Sequence, residues 1–226
     1  MGSIRLDEVE LIAGSGGVHA PLIYVIDLPE HPFPIEAATA DMVANVARIP
    51  VHGWDNALTP WEAEGLRPGQ MFGGHAAKTL AELTATIAPR LTARESVAPE
   101  ALAVCGYSMG GLFALWAFVN DARLAACACL SGSVWYPGWV DYLRDVNMNG
   151  ANRFAFLSVG SKEKRGAGPF RHVEDDMQAS ADILRDHSCN VHFEIGPSNH
   201  MQHHQERLAR GLAELDGRMA GMLYQE

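Results

Sequence analysis

The sequence predicts an α/β fold on a mostly parallel sheet, and three observations point to it. Short apolar runs of strand length recur along the chain, helix-length periodic segments lie between them, and 48% of the 226 residues are hydrophobic. That composition supplies a sizeable core. No compositional break, repeat or low-complexity segment divides the chain, so residues 1–226 are read as one domain.

Taken in order, the strand candidates are Arg5–Ile12, Leu22–Asp27, Val46–His52, Leu102–Tyr107, Ala125–Ser131, Phe154–Val159 and Val191–Ile195. The last five are near-continuous apolar runs, as expected for strands covered by helices on both faces. Gly14-Ser15-Gly16-Gly17 lacks the Lys-Ser/Thr ending of a phosphate loop and precedes a strand rather than a helix, so it is read as a turn. Met71-Phe72-Gly73-Gly74-His75 opens a helix and gives no independent sign of a phosphate site. Within Ala76–Leu91, Leu80, Leu83 and Ile87 share one helical face. Leu208, Leu212, Leu215, Met219 and Met222 do the same near the C-terminus. Strands alternating with helices imply right-handed crossovers.

Charge and cysteine content exclude several classes. Seventeen basic and 27 acidic residues give a net charge of −10, which repels phosphate backbones and anionic headgroups. Neither nucleic acid nor a membrane surface is an expected partner. Cys105, Cys127, Cys129 and Cys189 are too few for a disulfide scaffold and lack zinc-finger spacing. Met1 to Leu6 holds no apolar leader segment, and no run approaches 18 apolar residues. A reduced, cytoplasmic protein is the expectation.

The chemistry concentrates after the strand at Leu102–Tyr107. Gly106-Tyr107-Ser108-Met109-Gly110-Gly111 is followed by Leu112 to Asn120, apolar nearly all round and therefore a buried helix. This is G-x-S-x-G in a strand–turn–helix context, the setting of a nucleophile elbow. The flanking glycines let Ser108 hold a strained turn while strand and helix backbones pass close by. The helix start turns its first N–H groups outward, so Met109 N–H offers half of an oxyanion hole. A serine needs a base, and the base needs an orienting acid. In this fold the acid follows a late strand and the histidine the last one. Glu163 in Gly160-Ser161-Lys162-Glu163 and His200 in Gly196-Pro197-Ser198-Asn199-His200 fill those places.

These segments resemble the small α/β-hydrolase esterases of the esterase D and enterobactin-esterase-like group. The resemblance runs from about Pro21 to Leu212. It rests on Gly-Tyr-Ser-Met-Gly-Gly-Leu-Phe-Ala-Leu at 106–115 and Ser-Gly-Ser-Val-Trp-Tyr-Pro-Gly-Trp at 131–139. Trp54-Asp55-Asn56-Ala57-Leu58-Thr59-Pro60-Trp61, Gly160 with Glu163, and Asn199-His200 with Arg207 and Gly211 add to it. It implies serine hydrolysis of an ester or thioester, with Ser108 as nucleophile, Glu163 as acid and His200 as base, and no cofactor. Two departures stand out. The His-Gly-Gly-Gly oxyanion loop is replaced by Asp27-Leu28-Pro29-Glu30, where Pro29 has no N–H; Leu28 is the first candidate for the second donor, and Glu30 the next. About 22 residues separate Ser131 from Arg153, too few for a lid. An open pocket shaped by Trp135, Tyr136, Trp139 and the Trp54–Trp61 loop follows.

Competing readings sit beside these. Glu174, Asp175 and Asp176 could supply the acid, but they read as the first turn of a helix, where acids favour the positive dipole end. His200, His203 and His204 have metal-ligand spacing. Without a glutamate after His200 or a Cys or Asp ligand nearby, no metal site is expected; His203 and His204 are placed on the first turn of the last helix. The expected function is hydrolysis of a small or medium carboxylic ester through an acyl-serine. The alternatives are transfer of the same acyl group to another acceptor, or a binding module on a hydrolase scaffold. Oligomeric state is not legible.

Overall fold

The computed structural model describes residues 3–223, with side chains through 221. Met1 and Gly2 of the Met1–Leu6 segment and the Met222 side chain lie outside the described residues.

Seven strands form the central sheet: β1 (Glu10–Ile12), β2 (Leu22–Asp27), β3 (Asn45–Pro50), β6 (Leu102–Tyr107), β7 (Leu124–Leu130), β8 (Phe154–Gly160) and β9 (Asn190–Gly196). Two more, β4 (Glu62–Glu64) and β5 (Met71–Gly73), pair as a separate small hairpin. The sheet order is β1-β3-β2-β6-β7-β8-β9, parallel throughout except for the edge strand β1. The helices are α1 (Glu36–Thr39), α2 (Trp54–Ala57), α3 (Ala76–Glu82), α4 (Ala88–Glu95), α5 (Met109–Asn120), α6 (Trp139–Asp145), α7 (Val173–Asp186) and α8 (His204–Leu223).

Side chains alternate across the sheet with the period-two rule. In β2, Leu22, Tyr24 and Ile26 join the core beneath α3 to α7, whereas Ile23 and Val25 join the core beneath α8. Leu208, Leu212, Leu215 and Met219 are all buried on that second face. Six of the strand readings match within about two residues. The first does not: only Glu10–Ile12 is extended, because Leu6–Glu8 makes a 3-10 turn. That turn sends Glu8 back to Arg5 and His52, and Arg94 caps the Leu6 and Val9 carbonyls at 3.0 and 2.8 Å. The helix read over Ala76–Leu91 is interrupted by a wider turn at Leu83–Ile87. Pro89 explains it, since proline lacks an N–H and its ring displaces the carbonyl four residues back.

α5 carries the nucleophile candidate and is buried over Met109–Val119, so no face is left for solvent. Its far end is held by Arg153, 8% exposed, at the start of β8. The guanidinium donates to the carbonyls of Phe118, Asp121 (3.1 Å) and Leu124 (2.9 Å) and lies 3.9 Å from the Phe118 ring centre. A cation there complements the negative end of the helix dipole. Arg153→Met strips three buried carbonyls of a donor and should cost about 3 kcal/mol. A lower urea midpoint at unchanged slope would show it; an unchanged midpoint would mean that Arg153 does not pin α5.

Candidate active site

Between β6 and α5 the chain reverses at Ser108, which holds φ 58° and ψ −121°. Such a conformation costs a non-glycine residue about 1–3 kcal/mol and survives only where its surroundings enforce it. Here Ser108 N–H donates to Leu130 O at 3.0 Å, and Ser108 O accepts from Ser133 and Leu112 at 2.9 and 3.1 Å. Gly106 permits the close crossing: a Cβ on it would lie 2.1 Å from the Gly110 carbonyl oxygen. At Gly110 a Cβ would press on the Trp54 ring at 3.0 Å.

His200 follows β9 and reaches back to this turn. Its Nε2 lies 3.0 Å from Ser108 Oγ and its Nδ1 lies 2.9 Å from Glu163 Oε2. Glu163 sits just beyond β8 and is 7% exposed. Its other oxygen, Oε1, accepts from Ser131 Oγ at 2.5 Å, Gly160 N–H at 2.7 Å and Arg207 at 3.1 Å. Burial alone would raise this carboxyl, but the hydrogen bonds from His200 and Ser131, the imidazolium charge and the Gly160 amide outweigh it and bring it down to about 2. An ionised carboxylate only accepts, so the imidazole proton belongs on Nδ1, leaving Nε2 to accept from the serine hydroxyl.

The rival acids are elsewhere. Glu174, Asp175 and Asp176 form the first turn of α7, where Glu174 pairs with Lys164 at 2.8 Å, and no hydrogen bond joins any of the three to His200. The three histidines also part company. His203 stands before α8 with φ 59° and faces Glu206, while His204 opens the helix and meets the edge of the Tyr107 ring.

Two oxyanion candidates fare differently. Met109 is the first residue of α5 and has no carbonyl one turn back to bond, so its N–H is an unpaired helix-start donor. Leu28 lines the cleft above Ser108, but its N–H already donates to Asp27 Oδ1 at 2.8 Å. The buried Asp27 carboxylate collects that amide and Phe33 N–H at 3.1 Å, so Leu28 can stabilise an oxyanion only by sharing.

The aromatic expectations need correction. Tyr136 and Trp139 are core residues at 2% and 1% exposure, and Trp139 Nε1 donates to Ser180 across α6 and α7. Trp61 packs on Tyr136 and Tyr142, leaving Trp54 as the residue of that loop that reaches the cleft. Two open, mainly apolar clefts meet at His200. One, about 350 Å³, holds Ser108 among Leu28, Phe33, Trp54 and Tyr107. The other, about 290 Å³, shares Met201 and is lined by the packed pair Trp135 and Phe170, with Lys162 and Arg165 also on its wall. Trp135 therefore borders His200 from the neighbouring cleft. Phe33 and Phe170, 75 and 62 residues from the serine in sequence, carry no local motif that would have pointed to them. Ser131 opens the Ser-Gly-Ser-Val-Trp stretch, but its role as a donor to the acid shows only in three dimensions.

The Esterase family, described as "Putative esterase", matches residues 35–179. The chain belongs to that family. This esterase is a carboxylic ester hydrolase of the α/β-hydrolase fold, and the matched span contains Ser108 and Glu163 but ends before His200. No curated protein matches its sequence. Among solved structures it is similar to the siderophore hydrolase EstA of Aspergillus nidulans, with TM-score 0.72, 18% identity, and 92% of this chain and 89% of that one covered. It is also similar to an IroE-like serine hydrolase of Shewanella oneidensis, with TM-score 0.72, 16% identity, and 95% and 78% covered. A third is the enterobactin esterase FES of Shigella flexneri, with TM-score 0.68, 15% identity, and 98% and 58% covered. At these identities the likeness is one of fold. No helix among the described residues is long and apolar enough to cross a membrane.

The Glu163 carboxyl has a checkable signature. Its value falls from the ordinary 4.5 to about 2 on folding, so the stability it contributes is complete above pH 4.5 and is lost as the pH falls towards 2. Glu163→Gln removes that titration and should flatten the dependence of unfolding free energy on pH across this window. Equal slopes in variant and parent would mean the carboxyl is not held ionised by the fold.

Proposed function

We propose that this esterase cleaves small or medium carboxylic esters, or thioesters, through an acyl-serine on Ser108. The observation that carries the reading is the unbroken hydrogen-bond line from Ser108 Oγ to His200 Nε2 at 3.0 Å and from Nδ1 to Glu163 at 2.9 Å. Ser108 Oγ attacks the ester carbonyl carbon while its proton passes to Nε2, and Glu163 stabilises the imidazolium that forms. The tetrahedral oxyanion is held by Met109 N–H, with Leu28 N–H sharing from its bond to Asp27; each such donor is worth about 3–4 kcal/mol. Collapse expels the alcohol, which takes the proton back from His200. Water then loses a proton to His200, attacks the acyl-serine, and releases the acid and the free hydroxyl. The cycle needs no cofactor.

The open groove bears on substrate size. A site without a covering segment can take one ester of a large molecule while the rest remains in solvent. Siderophore esters, named for the structural neighbours, are thus the first bulky class to assay beside simple acyl esters. The four unpaired thiols suit a reducing compartment, and we place the protein in the cytoplasm acting as one catalytic domain over 1–226.

Ser108→Ala should lower p-nitrophenyl acetate turnover at least about 1,000-fold while the thermal midpoint holds, and a fluorophosphonate should label Ser108 in the parent protein. Undiminished turnover in the variant would overturn the reading. Glu163→Gln should lose activity on the order of 1,000-fold, whereas Asp175→Asn and His203→Ala keep it. The opposite pattern would move the acid or the base.

A further inference from the structure

We propose that Arg207, acting through Tyr107, is a positioning residue that ties the acid to the base; the inference rests on the acyl-serine reading above. One guanidinium nitrogen, Nη1, carries two hydrogens and uses both. It donates to Glu163 Oε1 at 3.1 Å and to the Tyr107 hydroxyl at 2.9 Å. The hydroxyl passes its own hydrogen to the His200 carbonyl oxygen at 2.7 Å. Tyr107 is bonded covalently to Ser108, so the interactions close a circuit: Ser108, His200, Glu163, Arg207, Tyr107 and back to Ser108.

Each link in the circuit comes from a different part of the fold. Tyr107 ends β6, Glu163 follows β8, His200 follows β9 and Arg207 lies on α8. The loop before the base is tied by Lys162 N–H to the Ser198 carbonyl at 3.1 Å, and the circuit adds a tether at His200 itself. The Arg207 side chain is 11% exposed, and its Nη2 is buried without a partner, which costs stability. A cation serving only to hold α8 against the sheet has no need of that arrangement, since Leu208, Leu212 and Leu215 already do so.

The charge matters as well as the tether. The groups facing the acid–base pair are Arg207 and His204 from α8, Tyr107 from β6 and Cys129 from β7. Lys162 and Arg165 face it from the segment after β8, and His31 from the segment after β2. Burial pushes the Tyr107 hydroxyl up and the Cys129 thiol to about 12, so both stay neutral. Apart from His200, Arg207 is the one cation among the described residues hydrogen-bonded to the carboxylate. It offsets part of the Glu163 charge and holds Oε1 in place, which leaves Oε2 aimed at His200 Nδ1.

The test is kcat and KM separately for Arg207→Met, Arg207→Lys and Tyr107→Phe, with fluorophosphonate labelling of the parent protein. Arg207→Met should lower kcat about tenfold with KM little changed. Arg207→Lys keeps a cation that can donate to the carboxylate, so part of kcat should be recovered. Tyr107→Phe removes one link, so kcat should fall while KM holds. An Arg207→Met protein with parental kcat overturns the inference. So does a loss that lysine does not rescue, or one that falls on KM rather than kcat, which marks a structural role. If Arg207→Met fails to fold, an Arg207→Lys protein no more active than an uncharged Arg207→Gln variant, or a Tyr107→Phe protein with parental kcat, overturns it equally. A parent protein that neither turns over esters nor labels at Ser108 overturns the acyl-serine reading itself, a result distinguishable from all of these.

Discussion

A buried carboxylate in this fold gathers four donors from four places. Ser131 reaches Glu163 from the end of β7, Gly160 from the end of β8, His200 from the loop after β9 and Arg207 from α8. An ionised carboxyl at 7% exposure would be costly alone, and each donor removes part of that cost. In return, the charge fixes the Ser131 turn and the stretch from His200 to Arg207, both distant from Glu163 in sequence. Losing it would release the imidazole, the Ser131 turn and the first turns of α8 together, because they are arranged around one centre rather than around each other.

The second constraint is the reversal at Ser108. Its backbone strain of about 1–3 kcal/mol is small beside the burial of α5, where residues such as Leu112, Phe113 and Phe118 each contribute roughly 1.5–3 kcal/mol. The helix can therefore hold a conformation that the local sequence would otherwise relax. Stability made by packing on one side of the turn appears on the other as a hydroxyl held above the sheet edge, facing Nε2 of His200.

Much of this was legible from the chain alone, for identifiable reasons. Buried parallel strands leave continuous apolar runs such as Phe154–Val159, and a strained turn between strand and helix demands glycines at fixed offsets from Ser108. Glu163 and His200 were readable because each follows a strand end with little chain between. What escaped was set by contacts distant in sequence. The hairpin of β4 and β5 has exposed glutamates and no alternating pattern to betray it. Leu28 offered an amide by position, but nothing in Asp27-Leu28-Pro29-Glu30 tells that the aspartate folds back onto it. Trp139 reads as a cleft residue because, like Trp135, it follows a strand's carboxyl end, and Tyr136 lies between them. The short turn after β7 instead drives both rings into the core, where Phe72 and Ser180 receive them.

The brevity of the β7–β8 connection has a kinetic meaning. Between those strands lie two loops, 131–138 and 146–153, and the seven-residue helix α6, and the cleft at Ser108 stays open. Enzymes that close over their substrates often wait on reopening before the next cycle. Here ester, alcohol and acid share an unobstructed groove, so release requires no rearrangement of the chain. The same openness would leave bulk water beside the acyl-serine proposed above, favouring hydrolysis over transfer to a scarcer alcohol.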